Sequence, residues 1–238
     1  MRKNLCFFSL LSLFFLFSCK VERLNYFPLG DNLAWNYKIT ILPEIEQKTI
    51  YKKFNSGLKK LKISDVENKK DIDVYPVRRE DNSLYFYSQS NEGIKREGVQ
   101  YNKSKGLILE KKKRFVLKYP IEKGNKWESI GKTFLILRRY AYFDYKASAN
   151  FILQHEIVST KEIVNVPAGK FKNCLKISGK GETSFIGDSE IGTIKIKITT
   201  SDWYAPNVGL IKSERIEETD TDLFGTTKMI QELDSYLH

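Results

Sequence analysis

The chain has 238 residues, 41% hydrophobic and 29% charged, with 40 Lys and Arg against 29 Asp and Glu, a formal net charge of +11. That length buries a real core in one domain or two small ones, and the lysines are spread along nearly every segment, as on a solvated face, with no cluster beyond Lys111-Lys112-Lys113-Arg114. Of the three cysteines, Cys6 and Cys19 lie in the N-terminal segment, so Cys174 has no partner and disulfide stapling of the remainder is excluded.

The chain opens with Arg2 and Lys3, continues as an apolar run from about Leu5 to Phe17, and closes on Leu16-Phe17-Ser18-Cys19. The run is shorter than the ~20 apolar residues of a membrane span and has the length of a signal-peptide core. Ser18 before Cys19, with Leu16 three positions ahead, resembles the lipobox of bacterial lipoproteins. That resemblance implies a signal peptide over 1–18, diacylglycerol and acyl groups on Cys19, and a lipidated tether over 19–25 ahead of one β-rich exported domain over 26–238. Two competing readings are an ordinary secretory signal with a late cysteine and an uncleaved anchor helix. Lys20 at the position where some envelope systems use aspartate for inner-membrane retention implies the outer membrane, facing the periplasm.

From there alternation of apolar and polar residues dominates. Strands are predicted over Leu33–Leu42, Lys48–Phe54, Leu61–Ile63, Asp73–Arg79, Leu84–Ser88, Leu107–Leu117, Thr133–Lys146, Phe151–Ser159, Leu175–Ile177, Thr193–Thr199, Leu210–Glu217 and Gly225–Leu233. The clearest is Thr193–Thr199, with Ile194, Ile196 and Ile198 on one face and Lys195 and Lys197 on the other. Turns are predicted at Asn91-Glu92-Gly93, Lys105-Gly106, Gly124-Asn125, Gly179-Lys180-Gly181 and Pro206–Gly209. Met229 to Leu237 is compatible with a short helix. The expectation is an all-β, mainly antiparallel domain: a strongly curved sheet or open barrel with, as an option, a short C-terminal helix.

One pattern occurs twice. Phe27-Pro28-Leu29 leads to Trp35, and Tyr119-Pro120-Ile121 leads to Trp127, with Gly30 or Gly124 between. Proline fixes the entry to a strand, glycine permits the turn, and tryptophan covers the sheet.

Three motifs together, Tyr26–Gly30 followed by Trp35-Asn36-Tyr37, then Val166–Phe171, then Trp203–Lys212, resemble a broad group of uncharacterised bacterial exported β-rich proteins and lipoproteins. The group is similar in outline to periplasmic lipoprotein carriers, whose curved sheet shelters an apolar hollow. This is an analogy of fold and licenses no function by itself.

Catalytic chemistry is hard to assemble. There is no Gly-x-Ser-x-Gly elbow, phosphate loop or His-Glu-x-x-His signature, and His155 stands alone in a strand. Cys174 reads as a packed thiol. Glu217–Asp222 alternates acids as calcium loops do but lacks their glycine and terminal glutamate, and reads as a solvated hairpin tip. No enzyme, metal or cofactor is expected. Two stretches, Leu84–Tyr87 and Leu135–Phe143, are apolar or aromatic on both faces, as strands beside a second layer or a cavity would be. Tyr85, Tyr87, Leu135, Leu137, Tyr140, Tyr142 and Phe143 are therefore the predicted ligand-binding residues. The expected partners are a membrane through the N-terminal lipid anchor, a lipid or other apolar ligand, and an envelope protein, with nucleic acid not expected. The leading role is ligand binding; a structural module docking a protein partner is the alternative, and a cryptic hydrolase the third reading.

Overall fold

The computed structural model describes residues 24–30, 32–42, 48–55, 61–65, 70–101, 106–139, 143–186, 192–222 and 224–237. Cys19 and the signal segment lie outside the described residues. Among the described residues every regular element is a strand: β1 (Ala34–Leu42), β2 (Lys48–Asn55), β3 (Leu61–Asp65), β4 (Lys70–Arg79), β5 (Leu84–Ser90), β6 (Gly93–Gln100), β7 (Ile108–Lys118), β8 (Lys126–Arg139), β9 (Phe143–Val166), β10 (Gly169–Ile186), β11 (Thr193–Ala205), β12 (Gly209–Thr219) and β13 (Thr226–Leu237). All pairings are antiparallel, and the order is β7-β6-β5-β4-β2-β1-β13-β12-β11-β10-β9-β8, with β3 beside β4.

This order forces curvature. β7 and β8 lie at opposite ends of the path yet are joined by the loop 119–125. A flat sheet would separate them by roughly 50 Å at the usual strand spacing, whereas a loop of that length reaches at most about 28 Å. The sheet therefore bends back on itself, and with no ladder between β7 and β8 among the described residues it stays open rather than closing into a barrel.

The bend is filled by apolar residues from both halves. Ile94 and Leu117, from β6 and β7, pack with Trp127, Ile157, Leu175, Ile177 and Tyr204 from β8 to β11. The N-terminal segment enters this cluster. Phe27 lies 5.1 Å from the Tyr87 ring, and the Tyr26 hydroxyl donates to the Asn173 carbonyl at 3.0 Å. Each fully buried aliphatic side chain here contributes about 1.5–3 kcal/mol. A second cluster joins β1 and β13 to Val164, Cys174 and Ile211, and a third joins Leu135, Phe151, Leu153 and Phe185 to Ile194, Ile196 and Ile198.

The repeated proline-to-tryptophan pattern has a structural counterpart. Trp35 and Trp127 each stand one residue into β1 and β8, the strands that open two meanders joined through the β1–β13 ladder. Both are buried, and Trp35 Nε1 donates to the Val208 carbonyl at 2.7 Å.

Two sequence expectations are corrected. Met229 to Leu237 is not helical: it belongs to β13, held between β12 and β1 by ladders on both sides. Gly179-Lys180-Gly181 is not a turn but the middle of β10. These glycines answer a packing demand. A Cβ at Gly179 would strike Thr200 Oγ1, and one at Gly181 would strike the Ile152 carbonyl and the Phe151 ring. The stretch Thr133–Lys146 divides between β8 and β9, and β6 adds a strand that the sequence reading did not name.

Candidate functional site

Alternation sets what faces the interior of the bend. A transverse row runs across adjacent strands as Trp127, His155, Gly179, Thr200 and Arg215, each directly opposite the next. One residue pair further along, the next inward row is Ile157, Ile177, Asp202, Ser213 and Gln231. Rows on one face are about 6.8 Å apart, so these two form one surface.

The first row holds unsatisfied polar atoms. Trp127 Nε1, His155 Nδ1 and Thr200 Oγ1 are buried without a hydrogen-bond partner among the described residues. Native interiors pair most such atoms, and an unpaired one costs about 1–3 kcal/mol. The other His155 nitrogen, Nε2, lies 2.8 Å from Ser129 Oγ, and the imidazole stacks on Trp127 at 5.1 Å and 15°. Burial, aided by the Arg114 charge, holds His155 down at about 4, so the ring is neutral at pH 7. Burial also lowers the basicity of Arg114, with Arg96 second and the nearby acid Glu110 opposing.

The second row carries a buried acid. Burial pushes the Asp202 carboxyl up to about 6, against the hydrogen bond it accepts from Ser213 Oγ at 2.5 Å and the charge of Arg215. Arg215 also pairs with Glu217 at 2.6 Å, and Glu217 accepts from Thr133 Oγ1 at 2.6 Å.

Beside Gln231 opens a cavity of about 190 Å³. Phe27, Trp35, Tyr37, Val77, Tyr87 and Leu210 give it apolar and aromatic walls, and Arg79 and Gln231 give it polar ones. Of its two tyrosines, Tyr37 is fixed in place by donating its hydroxyl to the Leu210 carbonyl at 2.8 Å. Burial raises Tyr37 and Tyr204 well above the usual phenol range, so both stay protonated. A wider hollow of about 780 Å³ lies over β8 to β11, lined by Ile130, Ile152, Lys180 and Lys197 among others.

The predicted ligand residues do not converge. Tyr87 lines the small cavity, whereas Tyr85 carries Arg79 over its ring at 3.7 Å. Leu135 is buried in the third cluster, with Phe151 and Phe185. Leu137 and Phe143 lie on β8 and β9, directly opposite Tyr145 and Arg139, without a described side-chain environment. Tyr140 and Tyr142 lie outside the described residues. Sequence reasoning missed Asp202, Arg114, Thr200 and Gln231, which come from separate strands and share no local motif. Elsewhere, burial raises the Cys174 thiol to about 11, as a packed thiol requires, and Asp220 accepts from the Lys195 amide at 2.8 Å at the acidic tip. Among the described residues, no group of His, Cys, Asp and Glu could hold a metal ion.

A family model described as DUF3108-like matches residues 143–229, from the first residue of β9 into β13. The Val166–Phe171 and Trp203–Lys212 motifs both fall inside that span, as do His155, Thr200, Asp202 and Arg215. No curated protein matches the chain. Two solved structures are similar to it. One is a candidate exported protein with a YmcC-like fold from Bacteroides fragilis, 13% identical, TM-score 0.40, covering 90% of this chain and 100% of that one. The other is a candidate lipoprotein from Parabacteroides distasonis, 12% identical, TM-score 0.38, covering 90% of this chain and 99% of that one.

Proposed function

We propose that this chain is an exported lipoprotein, anchored through Cys19 to the periplasmic side of the outer membrane, whose β domain binds an apolar or amphiphilic ligand and carries out no catalysis. The observation that supports the binding role best is the cavity walled by Trp35, Tyr37, Tyr87 and Leu210, with Arg79 and Gln231 as its polar groups. At about 190 Å³ it is smaller than the ~300–1,000 Å³ of a site that encloses a whole drug-sized molecule. It suits one acyl segment, with an acceptor-rich head turned toward Arg79 and Gln231. A charged or amide donor in a low-dielectric interior favours such a head more than it would in water.

Native mass spectrometry of the exported chain from Lys20 onward, purified without detergent, is expected to show a stoichiometric apolar adduct. Val77→Trp, which places an indole in the cavity, removes that adduct while leaving the fold intact by circular dichroism. A clean apo mass for the unsubstituted chain, or an adduct indifferent to Val77→Trp, overturns this reading. For the anchor, Cys19→Ser is expected to abolish incorporation of labelled palmitate and leave the precursor unprocessed, and continued labelling refutes it.

A further inference from the structure

The two ends of the sheet are protected unequally. At the β7 end the β6–β7 ladder is broken by bulges at Ile94/Lys95 and Arg96/Gly98, and Lys111, Lys112 and Lys113 stand exposed. Bulges and lysines are the usual devices that stop an edge from pairing. The β8 end differs. Its ladder to β9 runs from Lys126↔Glu156 to Arg139↔Phe143 without a register break, and its other side pairs with no strand among the described residues. The outward face of this strand carries Ile130 and Phe134, 42% and 62% exposed, and Ile130 lies directly opposite Ile152, itself 57% exposed. An unpaired edge flanked by exposed apolar side chains is a template for another strand.

The sequence of the outward face states which strand. It reads Lys126, Glu128, Ile130, Lys132, Phe134. Laid antiparallel against its own copy with the two-fold axis at Ile130, each Glu128 stands opposite a Lys132, each Lys126 opposite a Phe134, and Ile130 opposite Ile130. Moving the axis to Ser129 sets Lys126 against Lys132. An axis at Gly131 sets Glu128 against Phe134, and one at Lys132 sets Lys132 against itself. Among these four registers only the Ile130 one joins opposite charges, and it also places two lysines over aromatic rings, an arrangement already present within the chain where Lys132 Nζ lies 5.1 Å from the Phe134 ring. We propose that β8 pairs with β8 of a second copy about a two-fold axis at Ile130, so that the sheet runs continuously through a homodimer with an Ile130–Ile152 strip at its centre. This interface is isologous, as closed two-fold dimers require. A common membrane anchor would raise the effective concentration that drives it. The inference is independent of what the interior cavity holds.

The test uses the full-length lipidated chain, extracted in mild detergent, with oligomeric state followed by sedimentation. The unsubstituted chain is expected to dimerise. Glu128→Lys and Lys132→Glu each create two like-charge contacts and weaken the dimer about 10- to 30-fold. Mixing these two variants restores association, because each then presents the charge that the other needs, and the double variant Glu128→Lys/Lys132→Glu also recovers. Ile130→Cys is expected to give a disulfide-linked dimer on oxidation, Cys174 being buried. A chain that stays monomeric at all concentrations overturns the proposal. So does a dimer indifferent to both charge reversals, or one that the mixture fails to rescue.

Discussion

Replacing Asp202 by asparagine is expected to raise stability at pH 7.5 by about 2–3 kcal/mol, or roughly 5–10 °C in Tm. The folded protein holds this carboxyl at about 6, above its ordinary 3.8. A raised folded value means that its stabilising contribution is full below pH 3.8 and lost as pH rises through about 6. Above that, the fold carries a buried charge at a cost of about 3 kcal/mol. His155 behaves oppositely. Its folded value of about 4 lies below the ordinary 6.5. Its contribution is therefore full above pH 6.5 and lost as pH falls through about 4, again by about 3 kcal/mol. The two windows nearly coincide and the slopes have opposite signs, so the pair cancels in the native protein. Each single variant exposes the other residue. Relative to the unsubstituted chain, Asp202→Asn steepens the loss of stability from pH 6.5 to 4, and His155→Gln makes stability rise as pH falls from 6 to 4. Urea titrations at several pH values read both differences. Parallel profiles for all three proteins would show that these groups are not buried as the structure has them.

The second large effect is expected at Gly93. It ends the β5–β6 turn with φ of 140°, a conformation that side-chain-bearing residues rarely adopt. A Cβ there would run into the Leu117 carbonyl oxygen and crowd the Cα of Lys118. Backbone cannot step aside as a side chain can. Gly93 pairs with Lys118 and Ile94 with Leu117, and both Ile94 and Leu117 are fully buried in the cluster that joins the two halves of the bend. Gly93→Ala is therefore expected to cost about 3 kcal/mol or more, and to loosen β7 before the rest, visible as faster hydrogen exchange in 108–118. A variant within 1 kcal/mol of the parent would refute the close approach.

Most strands were legible because one-sided burial writes itself locally. Thr193–Thr199 alternates in sequence, and its isoleucines are buried while its lysines are exposed. The failures share a physical cause. Gly179 and Gly181 are turn residues by habit, but here they make room for Thr200 and Phe151, which arrive from other strands. Met229–Leu237 looks apolar on several sides because both its neighbours are strands and one of its faces lines the second cluster. Tyr87 and Leu135 were both named for their two-sided strands, and the structure places Tyr87 beside the small cavity. Leu135 is placed in the third cluster instead, because such a signal marks burial and does not separate a filled core from a cavity. Asp202 gave no signal and His155 only that of a lone strand histidine, since their significance lies in what faces them across β7 to β12.

The ladder between β1 and β13 has a consequence in time. Ala34 pairs with Leu237 and Leu42 with Lys228, so the first strand made waits for the last. Contacts so distant along the chain are slow to form, and a nascent chain lacking 226–237 leaves β1 and β12 each with a bare edge at the centre of the sheet. The first meander can zip and the second can zip, but neither is sheltered until β13 arrives. The sheet is thus completed only after β13 has emerged, and holding the earlier strands unfolded until then is a requirement that the topology places on whatever handles the chain.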